Sequence, residues 1–463
     1  MMMRATIQRA KKALSLLLTV AILSATSSGP VWAQATAMNS LTLPVAVDIA
    51  LKTNPLVRAT SSGREIADAR LIEARASRWP VVQVSQNVTQ GNNPVYVFGS
   101  LLEQANFKAQ NFDLNALNNP SSLHNFRTSL SLRAPLFDQR QSRTRIAQAQ
   151  LQQQQVDTSS NQVQQQVRFE VLRSYYAVLL AQAKKEVAIE AVKMAEADVK
   201  RSRDRVDAGV SVTSDLLAAE VQLAEFRQQQ IQAEGEIITA TAALNTALGL
   251  PISTPQQISG VLLEKQFDLG EQDALIRTAL QARPDYSRAG LTLREREQQT
   301  FGARGEMLPR VDVFTSVGVS ARSFVTGSTD YLVGASVSFN LFDAGRKARL
   351  SQAQAAETIA TLEQEHLANQ IRFEVVKARQ QFITARERLV VMQRVISQAT
   401  EALRIVQDRY HEGLTTITEV LRAETALTQA RTNVLAARYE HYIGYANVLL
   451  ATGQLTDVQP FVS

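Results

Sequence analysis

The sequence predicts an α+β chain of membrane type, with a few β-strands suited to a barrel wall joined to very long antiparallel helices, and the whole plan present twice. Three observations carry this. Residues 204–220, DRVDAGVSVTSDLLAAE, return as 408–424, DRYHEGLTTITEVLRAE, so one unit recurs at an offset of 204. The 12 prolines leave two windows empty, 136–250 and 310–459. A proline inside a helix costs about 3 kcal/mol, so these windows can hold long helices. Finally, four segments of 9 to 12 residues alternate apolar and polar side chains with period two, as strands with one apolar and one polar face do.

Taken in order, residues 1–33 read as a secretory leader: Arg4, Arg9, Lys11 and Lys12, an apolar run 13–23, and the small-residue exit Val31-Trp32-Ala33. The run has 11 residues, against the ~20 that a spanning helix needs. No later stretch approaches that length, so no transmembrane helix is expected. The leader holds four of the 49 bases and no acid, which leaves 45 bases against 43 acids, interleaved along helical segments. This mixed pattern argues against nucleic acid as a partner. The chain has no cysteine, so neither a disulfide framework nor a lipid anchor on an N-terminal cysteine is expected.

The first unit occupies 34–249. It begins with a short amphipathic segment (45–52) and a helix opened by proline at its first position (55–78). Strands follow at about 82–90 and 126–136, then a long helix at 139–206. Its Gln-rich part (148–166) has the composition of low-complexity sequence, but glutamine favours helix and an apolar three- and four-residue pattern follows directly. At 1.5 Å per residue such a helix is roughly 100 Å long. A tip at 207–214 and a return helix at 213–248 complete the unit, which stops at Gly249-Leu250-Pro251, a glycine cap followed by a breaker. A linker, 250–272, leads to the second unit at 273–453: strands at about 311–322 and 331–341, a long helix at 346–411, a tip at 412–417 and a return helix at 418–452. Residues 454–463 form a tail. Asn54-Pro55 matches Arg283-Pro284 at an offset of 229, whereas Leu136-Phe137-Asp138 matches Leu341-Phe342-Asp343 at 205, so the first unit carries 24 extra residues between its strands. These fall in 91–125, where Tyr96, Phe98, Leu101, Leu102, Phe107 and Phe112 are too many apolar residues for a solvated loop. The loop is expected to pack on itself or to fold into the barrel mouth as a constriction; an insertion without function is the equal alternative.

The flanking helix and the return helix together nearly match the long helix in length, so stacked end to end they would lie antiparallel beside it, with the linker and tails wrapped around the waist. Strands of this length suit a tilted bilayer crossing. Four strands cannot close a barrel, so a membrane location requires several chains to contribute to one barrel. A soluble periplasmic coiled-coil scaffold with an ordinary half-buried sheet is the alternative. The leader, the duplicated strand–strand–helix–turn–helix unit, the paired Leu-Phe-Asp sequences (136–138 and 341–343) and the Arg-x-x-x-Gly tips together resemble the TolC-type outer-membrane efflux proteins, over essentially all of 41–453.

That resemblance implies a homotrimer whose three protomers build a 12-stranded barrel in outer-membrane lipid, continuous with a long periplasmic α-helical barrel. Its tips would meet a periplasmic adaptor fed by an inner-membrane pump or a type I secretion ATPase. By motif, the adaptor-docking tips map to Arg205, Gly209, Val210, Ser211, Arg409, Gly413, Leu414 and Thr415. The aperture maps to Asp215, Tyr410, Glu419 and Arg422, with Tyr410 and Asp215 as a closing contact and Glu419 as an acidic ring. Two positions depart from the family: Thr415 stands where it has a basic residue, and Arg422 where it has a second acid. Local chemistry offers a plainer account of the acids, since Thr416 and Glu419 form a capping-box pattern and Asp215 sits at a helix start. The four histidines are scattered, and there is no phosphate loop and no HExxH or Gly-x-Ser-x-Gly motif. An enzyme is not expected, nor a cofactor or metal.

Overall fold

The computed structural model describes residues 40–323 and 326–462; the expected leader lies outside them. In the first half α1 (Leu43–Thr53) and α2 (Pro55–Ala76) lead into β1 (Val81–Gly91). Two short helices, α3 (Pro94–Glu103) and α4 (Leu114–Asn118), occupy the connection to β2 (Leu123–Asp138), and α5 (Gln141–Asp207) with α6 (Thr213–Leu248) forms a long hairpin. The second half runs through α7 (Gln272–Ala282), α8 (Pro284–Gly305), β3 (Arg310–Ser323), β4 (Thr326–Ser338), α9 (Arg346–His411) and α10 (Ile417–Ala451). Among the described residues no helix is long and apolar enough to cross a membrane.

The long helices form because nothing interrupts them. α5 contains neither glycine nor proline over 67 residues. The two Leu-Phe-Asp sequences mark the starts of α5 and α9. Asp138 accepts the backbone N–H of Ser142 at 2.6 Å, and Asp343 accepts that of Gly345 at 2.9 Å. α5 packs against α2, α6, α8 and α10, and α9 against α8 and α10, so the helices form four side-by-side columns in the order α2/α6, α5, α8/α10, α9.

Two of the columns are stacked pairs. At the α2/α6 joint Thr53 donates its hydroxyl to the Leu248 carbonyl at 2.5 Å, and the Asn54 side chain donates to Ala247 at 2.8 Å. Gly249 is left-handed (φ 73°), and a Cβ there would stand 2.8 Å from the Asn54 Cα. The α8/α10 joint is built alike: Gly453 (φ 72°) would place a Cβ 2.9 Å from Arg283 Cα. Only glycine permits both the backbone conformation and the approach. The main hydrophobic core lies at this level. Phe267 and Leu262 of the linker, with Leu455, Val458 and Phe461 of the tail, are buried against Tyr176, Phe382 and Tyr442. Phe267 stacks on Tyr445 with ring centroids 4.3 Å apart, and the Tyr176 hydroxyl donates to the Phe461 carbonyl at 2.8 Å.

The strands form one antiparallel sheet in the order β1-β2-β3-β4. Its register puts Val84, Leu130, Val317 and Tyr331 on one rung, and Val82, Leu132, Thr315 and Val333 on another. The valines, leucine and tyrosine of the first rung are all exposed. The opposite face carries Ser85, Arg127, Ser129, Ser320 and Asp330. β4 differs from its expected span of 331–341. It starts at Thr326 because β3 continues to Ser323 and the hairpin pairs Ser323 with Thr326; it stops at Ser338, which pairs with Arg310, the first residue of β3 after Pro309. Phe339 and Leu341 keep the period but have no strand to pair with. β2 is also longer than expected, with a bulge between Pro135 and Phe137 where proline has no N–H to give.

The helix tips as candidate functional site

Both long helices end in the same way. In the first tip the Val210 N–H reaches the Arg205 carbonyl at 2.9 Å and the Gly209 N–H reaches Val206 at 2.9 Å; in the second, Leu414 reaches Arg409 at 2.8 Å and Gly413 reaches Tyr410 at 3.1 Å. This double bond pattern needs a left-handed residue after the helix, and Gly209 and Gly413 supply it at φ 72° and 73°. The turn leaves Val210 and Leu414 at the apex, 65% and 68% exposed. Arg409 is exposed, while Ser211 and Thr415 are half-buried.

The structure joins the two tips through a contact absent from the sequence-based expectation. The Arg205 guanidinium lies over the ring of Tyr410, 4.8 Å from its centroid, and that ring is buried among Leu403, Ile417 and Leu421. Asp215 takes the Ser211 hydroxyl at 2.6 Å, and among the described residues no hydrogen bond joins it to Tyr410. Glu419 pairs with Arg422 at 2.8 Å, both exposed. The capping-box expectation is corrected: Thr416 is the N-cap, but its side chain makes no capping bond, and the Glu419 carboxylate that would close the box is held by Arg422 instead.

Two residues above the tips were not singled out from the sequence. Asp198 of α5 and Glu424 of α10 are each 1% exposed, and they face one another across the packed helices. One oxygen of each has no hydrogen-bond donor. Asp198 is bound by Arg201, and Glu424 is approached by Gln407 of α9. Burial first, then the neighbouring Asp198, pushes the Glu424 carboxyl up to about 8. A protonated Glu424 carboxyl carries an O–H donor that an ionised one lacks. The counterpart of Glu424 in the first half, Glu220, instead pairs with Arg203 at 2.9 Å near solvent. A signal was present: Ala191, Ala195, Asp198 and Ser202 follow a buried helical stripe, and so do Val420, Glu424 and Leu427.

At the other end of the molecule the 91–125 connection packs on itself and onto the polar face of the sheet. Phe107 meets Phe98 and Phe112 edge-on at 4.8 and 5.1 Å. The Glu103 carboxylate reaches Arg127 at 3.2 Å, and Arg127 also holds Asp330 at 3.0 Å. Gln104 donates to the His124 carbonyl at 2.9 Å.

The chain matches the family model described as outer membrane efflux protein over residues 46–250 and 275–454. It is 25% identical to Protein CyaE of Bordetella pertussis over 404 residues, 85% of this chain and 80% of that one. Its fold is shared with the CmeC outer membrane channel of Campylobacter jejuni (TM-score 0.76, 18% identity, 89% of this chain and 85% of that one). It is shared equally with a membrane protein from Pseudomonas aeruginosa (TM-score 0.76, 20% identity, 89% and 92%). Long paired helices, glycine-capped tips and a small sheet with one bare apolar face are thus the parts of an export channel, and the chain belongs to the outer membrane efflux protein family.

Proposed function

We propose that three copies of this chain, each carrying two descendants of one duplicated unit, close into a passive exit duct. The observation that carries this is that the same two flanks are unfinished in both layers. The sheet has unpaired outer edges at β1 and β4. The outer helix columns leave Ile359, Leu362 and Phe373 bare on one flank, and Ile66, Ile231 and Ile238 on the other. Cyclic association covers both at once and turns three four-stranded sheets into one barrel without edges. The rung of Val84, Leu130, Val317 and Tyr331 then faces outer-membrane lipid, whereas a soluble scaffold would leave it in water.

In this reading the helices cross the periplasm as a tunnel, and the tips meet a periplasmic adaptor through Arg205, Gly209, Val210, Ser211, Arg409, Gly413, Leu414 and Thr415. An inner-membrane pump or a secretion ATPase supplies the energy. Tyr410 and Asp215 close the aperture between neighbouring elements, with Arg205 holding the tyrosine in place. Glu419 lines the aperture, and its pairing with Arg422 offsets the acidic ring, so the duct is not strongly cation-selective. The test is conductance in a planar bilayer. Tyr410→Phe combined with Asp215→Ala is expected to raise single-channel conductance about twofold or more, since each closing contact of this kind holds only about 1 kcal/mol. Unchanged conductance removes the closing contact, and a chain that forms no heat-modifiable oligomer and no channel removes the duct. Cross-linking from Val210 and Leu414 identifies the adaptor, and with it an efflux or a type I secretion assignment.

A further inference from the structure

We infer that the junction between sheet and helices is a collar that binds the anionic phosphodiester headgroups of the inner leaflet of the outer membrane. The inference rests on the channel reading above and adds a ligand class to it. The last rung of the apolar face is Phe137, Val311 and Val337, the bulge in β2 having brought Phe137 onto that face. Beyond it Trp79, Leu341 and Phe342 are 73%, 88% and 87% exposed. Apolar and aromatic side chains in this position mark the level where hydrocarbon gives way to headgroups.

The bases begin at the same level. The four segments entering or leaving the sheet here, 73–80, 136–147, 302–312 and 339–349, hold ten Lys and Arg against five Asp and Glu. Only Arg310 and Arg349 among those ten have a carboxylate within ion-pair distance among the described residues. Arg140 and Arg143 lean on the ring of Phe301 at 4.7 and 5.8 Å, while Arg75, Arg78, Arg145 and Lys347 are exposed. The opposite end of the sheet lacks this excess: segments 91–125 and 320–330 hold two bases against three acids. The charge is therefore concentrated at one membrane border although residues 34–463 as a whole are nearly balanced. Cations within a Debye length of an anionic lipid surface are attracted to it, and arginine adds paired hydrogen bonds to a phosphodiester.

The test places the full-length chain in phosphatidylcholine bilayers containing a trace of spin-labelled phosphatidylglycerol or spin-labelled phosphatidylcholine, and reads the immobilised fraction by electron paramagnetic resonance. The wild type is expected to prefer the anionic label about threefold or more at low ionic strength, with the preference shrinking as salt is added. The variant Arg75→Gln/Arg78→Gln/Arg145→Gln/Lys347→Gln is expected to fall to parity. A control lacking four exposed bases elsewhere, Lys193→Gln/Lys200→Gln/Lys377→Gln/Arg394→Gln, keeps the preference. Parity in the wild type, or an unchanged preference in the collar variant, overturns the inference. Conductance is recorded in the same bilayers: a conducting chain at parity refutes the collar alone, and a chain that neither conducts nor selects lipid refutes the channel reading as well.

Discussion

Glu424 shows how burial turns an ordinary side chain into a pH-dependent contact. A free glutamate ionises near 4.5, whereas Glu424, packed beside Asp198, holds its proton to about 8. Between those values the separated helices release a proton that the packed helices keep. Stability of the α5/α10 contact is therefore full below about pH 4.5 and declines as pH rises toward about 8. Glu424→Gln keeps the shape and removes the ionisation, so the pH slope of amide exchange in 417–430 should flatten; an identical slope in wild type and variant would sink the assignment of a raised Glu424 pKa to this contact. At this scale the sequence was only partly legible. It marked Glu220 and Glu424 as the same motif position, but one meets Arg203 near solvent and the other is sealed against α5. Identity at equivalent positions does not specify burial, because burial depends on which column packs alongside.

The helical elements were the most legible, since the periodicity and the proline-free windows that mark them are local properties. The return helix expected at 213–248 and the observed Thr213–Leu248 follow from Gly209 at one end and Gly249-Leu250-Pro251 at the other. The glycines themselves differ in ways that the sequence does not reveal. Replacing either with alanine forces a side chain into the left-handed region, at about 1–2 kcal/mol. Nothing lies within 4 Å of a Cβ at Gly209, whereas one at Gly249 meets Asn54. Gly249→Ala should therefore lower the thermal midpoint of the detergent-solubilised protein clearly more than Gly209→Ala; equal losses would mean that the stacked joint is looser than its geometry. Strand ends were less legible, because β4 stops where its partner stops. The 91–125 connection is tied to the sheet through Arg127. Arg127→Ala should make trypsin cleavage at Lys108 on intact cells several-fold faster than in the wild type, and equal rates would show that this tie does not restrain the loop.

For the whole molecule, the strand count led to the expectation that several chains share one barrel, and the homotrimer was implied by the family resemblance; both concern an assembly, which a single chain does not display. What a single chain does display is two kinds of helical column. α5 and α9 are unbroken over 67 and 66 residues, while their neighbours are divided at Gly249 and Gly453, level with the aromatic core. A beam made from one continuous rod and one jointed rod bends at the joint. From Val171, buried in that core, to Asp207 at the end of α5, the rod is about 54 Å long at 1.5 Å per residue. Pivoting at the waist by only about 5° would carry the tip sideways by roughly 5 Å over that length. The glycine joints at Gly249 and Gly453 are thus the breaks at which a column could turn, and the displacement of a tip would grow with the length of rod beyond them.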